Sequence, residues 1–327
     1  MTLQQLRCIV AMVRNELNVS ATAAALHTSQ PGVSKHIRAL EDELGVELFE
    51  RAGRQVVRVT EAGEDVIRTA ETVLAGVEDI RTLARQHADP NAGSLKLATT
   101  HTQARYVLPA VVERFREAWP RVDIHLHQGT PEQMAAMVHA GEVDLAIATE
   151  GLEHYAGLVH LPCSRWHRAV VVPHGHALFK LARIGSLTLE ALAAHPLVTY
   201  TFGFTGSSEL DRAFAGRGLV PNVVLTATDA DVVKTYVRAG LGVGIVAAMA
   251  FEERDATDLA ALDASHLFGS DVTHVVMRPQ RALRAFAHDF IERFAPHLTS
   301  ERVEAALAAG TAEARAAVFA DVELPVA

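Results

Sequence analysis

The sequence predicts an α/β protein in three parts: an N-terminal winged helix-turn-helix, a long linker helix, and a two-lobed α/β body. Three observations predict it. Two short amphipathic helices flank a polar turn within residues 19–45, an apolar seam runs through residues 61–87, and strands alternate with helices from residue 94 onward. A chain of 327 residues has room for two or three domains. Its 49% hydrophobic and 21% charged residues describe a globular protein and exclude a fibre or a disordered chain. No apolar run approaches the roughly 18 residues that a membrane span needs. The start, MTLQQLRCIVAMV, lacks the basic region, long apolar core and small-residue cleavage site of a secretion signal. A cytoplasmic chain with no membrane segment is therefore expected. Cys8 and Cys163 stand far apart in apolar contexts, which suits reduced core thiols better than a disulfide frame.

Residues 19–45 read VSATAAALHTSQPGVSKHIRALEDELG. Ser20 is placed to cap the first helix, with Ala23, Ala24 and Leu26 turned inward. After the turn His27-Thr28-Ser29, Pro31 and Gly32 open the second helix, where a missing N–H costs nothing. Val33, Ile37, Leu40 and Leu44 recur at helical spacing and mark its buried stripe. Gln30, Pro31, Ser34, Lys35 and Arg38 are then left for the outer face, with donors suited to base edges and phosphates. FERAGRQVVRVT (49–60) follows as a hairpin around Gly53, placing Arg51, Arg54 and Arg58 as a wing beside the duplex. A lone helical corner with a solvated face would explain the helices but not the attached wing. The net charge of −9 does not contradict a DNA-reading head, because residues 1–60 hold seven Lys/Arg against six Asp/Glu. The acidic remainder limits indiscriminate attraction to nucleic acid.

Beyond the wing, Ala62, Val66, Ala70, Val73, Val77, Ile80 and Ala84 form a heptad seam whose natural partner is a second copy of the helix. Asp89-Pro90-Asn91-Ala92-Gly93 breaks it as a hinge. The expected domains are a DNA-binding head at 1–60, a linker at 61–88, a hinge at 89–94, a first lobe at 95–164, a second lobe at 165–268, a return to the first at 269–297, and a tail at 298–327. Strands at 95–100, 122–129 and 143–149, with helices at 103–118 and 131–141, give a βαβαβ order and a parallel sheet. LPCSRW (161–166) leads to a second unit of the same kind, with strands at 197–202, 222–228 and 242–247. A strand near 273–277 and a helix at 281–294 return to the first unit, and an alanine-rich helix at 302–318 lies on the periphery. Two such lobes make a hinged cleft, as in periplasmic binding proteins, with ligands beyond the carboxyl ends of the strands.

At those ends stand Thr100, Thr102, Gln103, Thr149 and the run Gly203-Phe204-Thr205-Gly206. Neutral hydroxyls and amides near a helix start suit a small, fully ionised anion or a polar amino acid derivative. With strand 143–149 continued, Glu150 faces away, so no carboxylate is available to accept a proton from phosphate; sulfate or thiosulfate is favoured. The same threonines could also serve only as helix caps. The pairs His125/His127 and His174/His176 raise a metal reading, but no cysteine or carboxylate partner accompanies them. No nucleophile–base motif, P-loop or HExxH is present, so catalysis is not expected.

TTHTQARYVLP (99–109), LVTYTFGFTGSSELD (197–211), TATDADVVKTYVRAGLGVGIV (226–246) and the ending DVELPVA complete a pattern that resembles LysR-type transcriptional regulators along the whole chain. Within them it is similar to the branch governing sulfur assimilation and cysteine biosynthesis. The resemblance implies that Thr100, Thr102, Gln103, Thr149 and Thr205 hold a sulfate-like anion and that Trp166 lines the cleft. It implies N-acetylserine as inducer, opposed by sulfide and thiosulfate, and no cofactor. Promoter DNA, RNA polymerase and a homotetramer built as a dimer of dimers through the linker helix are the implied partners. Ser207 stands where relatives carry arginine. A regulator of sulfonate use and a solute-binding module for small oxyanions are the alternatives.

Overall fold

The computed structural model describes residues 1–53, 55–151, 155–185, 187–201, 209–279 and 283–326. The chain forms two compact units, Met1–Ala88 and Asp89–Ala327.

In the first unit, α1 (Leu3–Arg14) opens with a capping box in which Thr2 and Gln5 exchange hydrogen bonds. α2 (Val19–Ala25) and α3 (Gln30–Leu44) follow, then the hairpin strands β1 (Phe49–Ala52) and β2 (Gln55–Val59) and the long α4 (Glu61–Ala88). Two local expectations change here. Asn18, not Ser20, caps α2, because its side chain reaches the N–H groups of both Ser20 and Ala21. Ala24 is exposed, while Thr22 and Ala23 are the buried residues of α2. In α3 the inward stripe is Val33, Ile37, Leu40 and Glu41, with Leu44 exposed at the end where Gly45 adopts the left-handed conformation and stops the helix. Burying Glu41 is tolerated because its carboxylate accepts the backbone N–H groups of Leu48 and Phe49 and pairs with Arg51 at 2.6 Å.

α4 does not present a single seam. Ile67 and Ala70 are buried in the core of this unit, where Val66 and Leu74 also pack, whereas Val73 and Ile80 are exposed. Gly63 permits that docking: a Cβ there would lie 2.2 Å from the carbonyl oxygen of Leu48.

The second unit is built on one mixed sheet. Its strands are β3 (Ala92–Thr99), β4 (Arg121–Gln128), β5 (Leu145–Ala148), β6 (Val159–Pro173), β7 (Pro196–Tyr200), β8 (Asn222–Ala227), β9 (Val243–Ala247), β10 (Leu259–Asp263) and β11 (Ser270–Met277). The order is β4-β3-β5-β11-β6-β9-β7-β8, with β10 also paired to β6. β3 lies parallel to β4 and β5, and β7 parallel to β8 and β9, so each lobe keeps its expected parallel core. The sheet as a whole is mixed rather than parallel, because β11 returns antiparallel to both β5 and β6.

β6 is the largest departure from the sequence reading. Residues 159–173 form one unbroken strand, so the lobe boundary expected at 164/165 falls inside it. Its first half pairs with β11 and its second half with β9 and β10, giving both lobes a shared spine. Pro162 is tolerated because the β11 register shifts beside it, where a donor would otherwise be missed. The expected tail helix is two: Ser300–Ala308, capped by Thr299, and Ala312–Ala317, capped by Thr311. The first lobe packs around Phe115 and Phe290, whose rings meet edge to face at 5.4 Å. The second packs on Val170, Phe214, Leu197 and Ile245.

Candidate functional site

The carboxyl ends of β3, β5, β7 and β9 surround a small cavity. Thr100, Thr102, Gln103, Thr149 and Trp166, all singled out from the sequence, line it. Thr205 and Arg54 lie outside the described residues. Glu150, Tyr200, Ala247 and Met249 complete the lining. Residues 103–107 form a π-helical turn before α5 (Leu108–Ala118), a widening that occurs often at functional sites. Tyr200 joins the lobes: its Oη accepts the N–H of Ala247 at 3.2 Å and lies 3.3 Å from Oγ1 of Thr102. Either hydroxyl can be the donor in the contact between Tyr200 and Thr102.

Glu150 is a correction. It lines the cavity instead of facing away, because β5 ends at Ala148 and the chain turns before the strand's alternation could carry Glu150 outward. Its carboxylate pairs with Arg168. Arg168 is 2% exposed, bonds Asp271 at 2.7 Å on its other side and stacks over Trp166 at 4.7 Å. Burial pushes the Glu150 carboxyl up to about 7, against the downward pull of Arg168. A carboxylate able to receive a phosphate proton therefore does stand in the lining, contrary to the sequence expectation.

A second set of contacts closes the lobes outside the cavity. The helix Ala230–Arg238 carries Lys234, fully buried and 2.6 Å from Asp255. Lys234 also donates to Oη of Tyr106 at 3.1 Å, and Tyr106 donates to Asp231 at 2.8 Å. Arg105 reaches Glu252 at 3.3 Å. His101, Asp229 and Asp231 gather within metal-ligating reach, but Arg105 and Lys234 already neutralise Asp231. The histidine pairs do not converge on ligand sets: His125 and His127 sit exposed on β4, His174 meets the carbonyl of Ala256, and His176 caps the helix that follows it.

In the first unit, Gln30, Pro31, Lys35 and Arg38 are exposed on α3 and Ser34 is half-buried. Nε2 of Gln30 donates to Oγ of Ser20 at 2.9 Å, which ties the start of α3 to α2. Lys35 and Arg38 have no ion-pair partner among the described residues, so their charge is available to a polyanion. The wing differs. Arg51 is held by Glu41, and Arg58 by Glu50 at 2.5 Å. The helix thus presents unpaired cations, while the hairpin's described arginines, Arg51 and Arg58, are internally paired.

Residues 3–64 match the bacterial regulatory helix-turn-helix protein model of the lysR family, and residues 88–299 match the LysR substrate binding domain. The chain belongs to the LysR family. Members are DNA-binding transcriptional regulators, not enzymes, so the helix-turn-helix and the cleft are one regulator's reading head and effector body. The LysR regulator CysB of Haemophilus influenzae is 51% identical over 306 residues, covering 94% of each chain. SsuR of Burkholderia cenocepacia is 48% identical, covering 93% of this chain and 97% of its own. Among solved structures, the cofactor-binding domain of the Cbl transcriptional regulator superposes with a TM-score of 0.61 at 43% identity, covering 65% of this chain and 92% of that one. No helix among the described residues is long and apolar enough to cross a membrane.

Sequence reasoning missed Glu150, Tyr200 and Arg168 as members of the site. The signal for Tyr200 was its place at the end of a strand of the second lobe, separated by Thr201 alone from the FGFTG run.

Proposed function

We propose that this LysR-family chain is a cytoplasmic regulator, mainly an activator, of genes for sulfur assimilation and cysteine biosynthesis. Residues 1–60 bind promoter DNA through Gln30, Pro31, Ser34, Lys35, Arg38, Arg51 and Arg54. Residues 61–88 pair subunits, 89–94 act as the hinge, and 95–297 bind the effector in two lobes. N-acetylserine, thiosulfate or sulfate is the effector, held by Thr100, Thr102, Gln103, Thr149, Thr205 and Trp166. The observation that carries this reading is the cavity itself, which gathers neutral hydroxyls, an amide and an indole N–H at converging strand ends. The strong identity to CysB supports it.

The exposed Val73 and Ile80 of α4 supply the face for pairing into a dimer and, through a dimer of dimers, a homotetramer. Effector binding changes how the paired heads grip the promoter and meet RNA polymerase. An effector does this only through tighter binding to one arrangement, and about 1–3 kcal/mol of coupling is usual. The test is binding to promoter fragments upstream of cysteine-biosynthesis and sulfate-transport genes, with transcription measured with and without N-acetylserine. Protection of those fragments with an effector-dependent footprint is the expected result; indifference to all of them overturns the reading. A second reading, control of sulfonate use, is favoured by the fit of the body to the Cbl cofactor-binding domain. Adenosine phosphosulfate belongs in the same binding screen to separate the two.

A further inference from the structure

Three atoms of the cavity lining have no hydrogen-bond partner among the described residues: Oε2 of Glu150, Oε1 of Gln103 and Nε1 of Trp166. All three side chains are nearly closed to solvent, Gln103 at 2% and Trp166 at 3% exposure. Groups left so are costly unless a ligand completes them. Their demands differ. The indole N–H only donates and, with the threonine hydroxyls, is satisfied by an anion. An ionised carboxylate only accepts, so Oε2 of Glu150 needs an N–H or O–H from the ligand. Glu150 cannot turn elsewhere, since its other oxygen is held by Arg168, whose far side is held by Asp271. Two carboxylates thus share one guanidinium, and the cluster keeps a surplus negative charge at the cavity wall.

We propose that Glu150 sorts the ligands of this cavity: it accepts a hydrogen bond from the amide or hydroxyl of an N-acylated hydroxy-amino acid, and it disfavours a fully ionised oxyanion unless it first takes up a proton. A tetrahedral dianion offers acceptors only, so it leaves Oε2 unpaired and faces a like charge. An acylated serine carries N–H and O–H donors for Glu150 together with a carboxylate for the indole and the threonines. The inference rests on the cavity being the effector site proposed above.

The charged and titratable groups around Glu150 are Arg168 on β6, Asp271 on β11 and Tyr200 on β7. Tyr200 is pushed up to about 12 by burial, far above neutrality. Glu150 is raised to about 7, so a bound oxyanion can recruit its proton at modest cost. Oxyanion binding then strengthens as pH falls, and acyl-serine binding, which uses the ionised form, does not.

Calorimetry on the full chain tests this, with sodium sulfate and N-acetylserine as probes at about pH 6.5 and about pH 8, in buffers of different ionisation enthalpy. The unaltered protein is expected to take up protons on binding sulfate and to take up none on binding N-acetylserine. In Glu150→Gln the amide offers a neutral donor, so sulfate is expected to bind at least about tenfold tighter at the higher pH and N-acetylserine about tenfold weaker. Sulfate binding without proton uptake, or an unchanged preference in Glu150→Gln, overturns the proposal while leaving the effector site standing. If the variant does not fold, proton uptake by the unaltered protein decides alone. Failure of both ligands to bind the unaltered protein overturns the effector-site reading as well.

Discussion

The outer face of α3 and the cavity between the lobes both suit negatively charged partners, by opposite physics. On α3, Lys35 and Arg38 stand exposed and unpaired, their full charges in water. At the cavity, the cation Arg168 is buried and committed to two carboxylates, and the lining offers hydroxyls, an amide and an indole instead. The first arrangement gains affinity by releasing counterions from a polyanion. The second gains it by completing hydrogen bonds that water cannot reach. The difference teaches that salt and solvation should separate the two activities in one molecule.

Four experiments would break or sharpen that contrast. The largest effect belongs to salt: with about 6–10 phosphates contacted, operator affinity should fall roughly 10³–10⁵-fold between 50 and 200 mM salt, measured by fluorescence anisotropy. Effector affinity measured in parallel should change little, and an equal fall in both would erase the distinction. Next is Arg168→Met, which strands Glu150 and Asp271 as unpaired carboxylates. A loss of about 3–5 kcal/mol of stability is expected in urea titrations, with a smaller loss at a pH low enough to protonate Glu150. The sign follows from a raised carboxyl: an unpaired Glu150 destabilises most when charged.

Arg38→Ala comes third. It should cost about 1–3 kcal/mol of operator binding, or lower the salt slope by about one, according to whether Arg38 reads a base or a phosphate. Melting temperature should hold, since Arg38 is exposed with no hydrogen-bond or ion-pair partner among the described residues; unchanged gel-shift affinity would remove it from the reading face. Smallest is Thr102→Val, which keeps the shape and deletes one hydroxyl. The rise in melting temperature given by saturating sulfate should shrink by the equivalent of about 1 kcal/mol, and an identical rise would place sulfate elsewhere.

Much of this was readable in the residues because it depends on short spacing. The stripe Val33-Ile37-Leu40, the proline in the first turn of α3 and Gly45 after it define a helix and its two ends within one segment. Thr100, Thr102 and Thr149 were readable as site residues because strand ends in an α/β sheet converge. Glu150 was not, because the expectation extended β5 by a residue, and an alternating pattern inverts when a strand stops early. Arg168 was not, because its burial depends on carboxylates 18 and 103 residues away. The unbroken β6 was hidden for a similar reason: a long strand serving two cores shows no compositional seam where one core gives way to the next. The α4 seam was read as one face for a second copy, whereas the core of its own unit takes Ile67 and Ala70 and leaves Val73 and Ile80 exposed, a division that depends on contacts distant in sequence.

The shared spine has a practical corollary. Opposite β11, Arg165 on β6 donates its N–H to the carbonyl of Pro325 at 2.7 Å and forms a bridge with Val326, one residue from Trp166. Removing Pro325 and Val326 would thus strip a backbone partner from the strand that carries the cavity's indole.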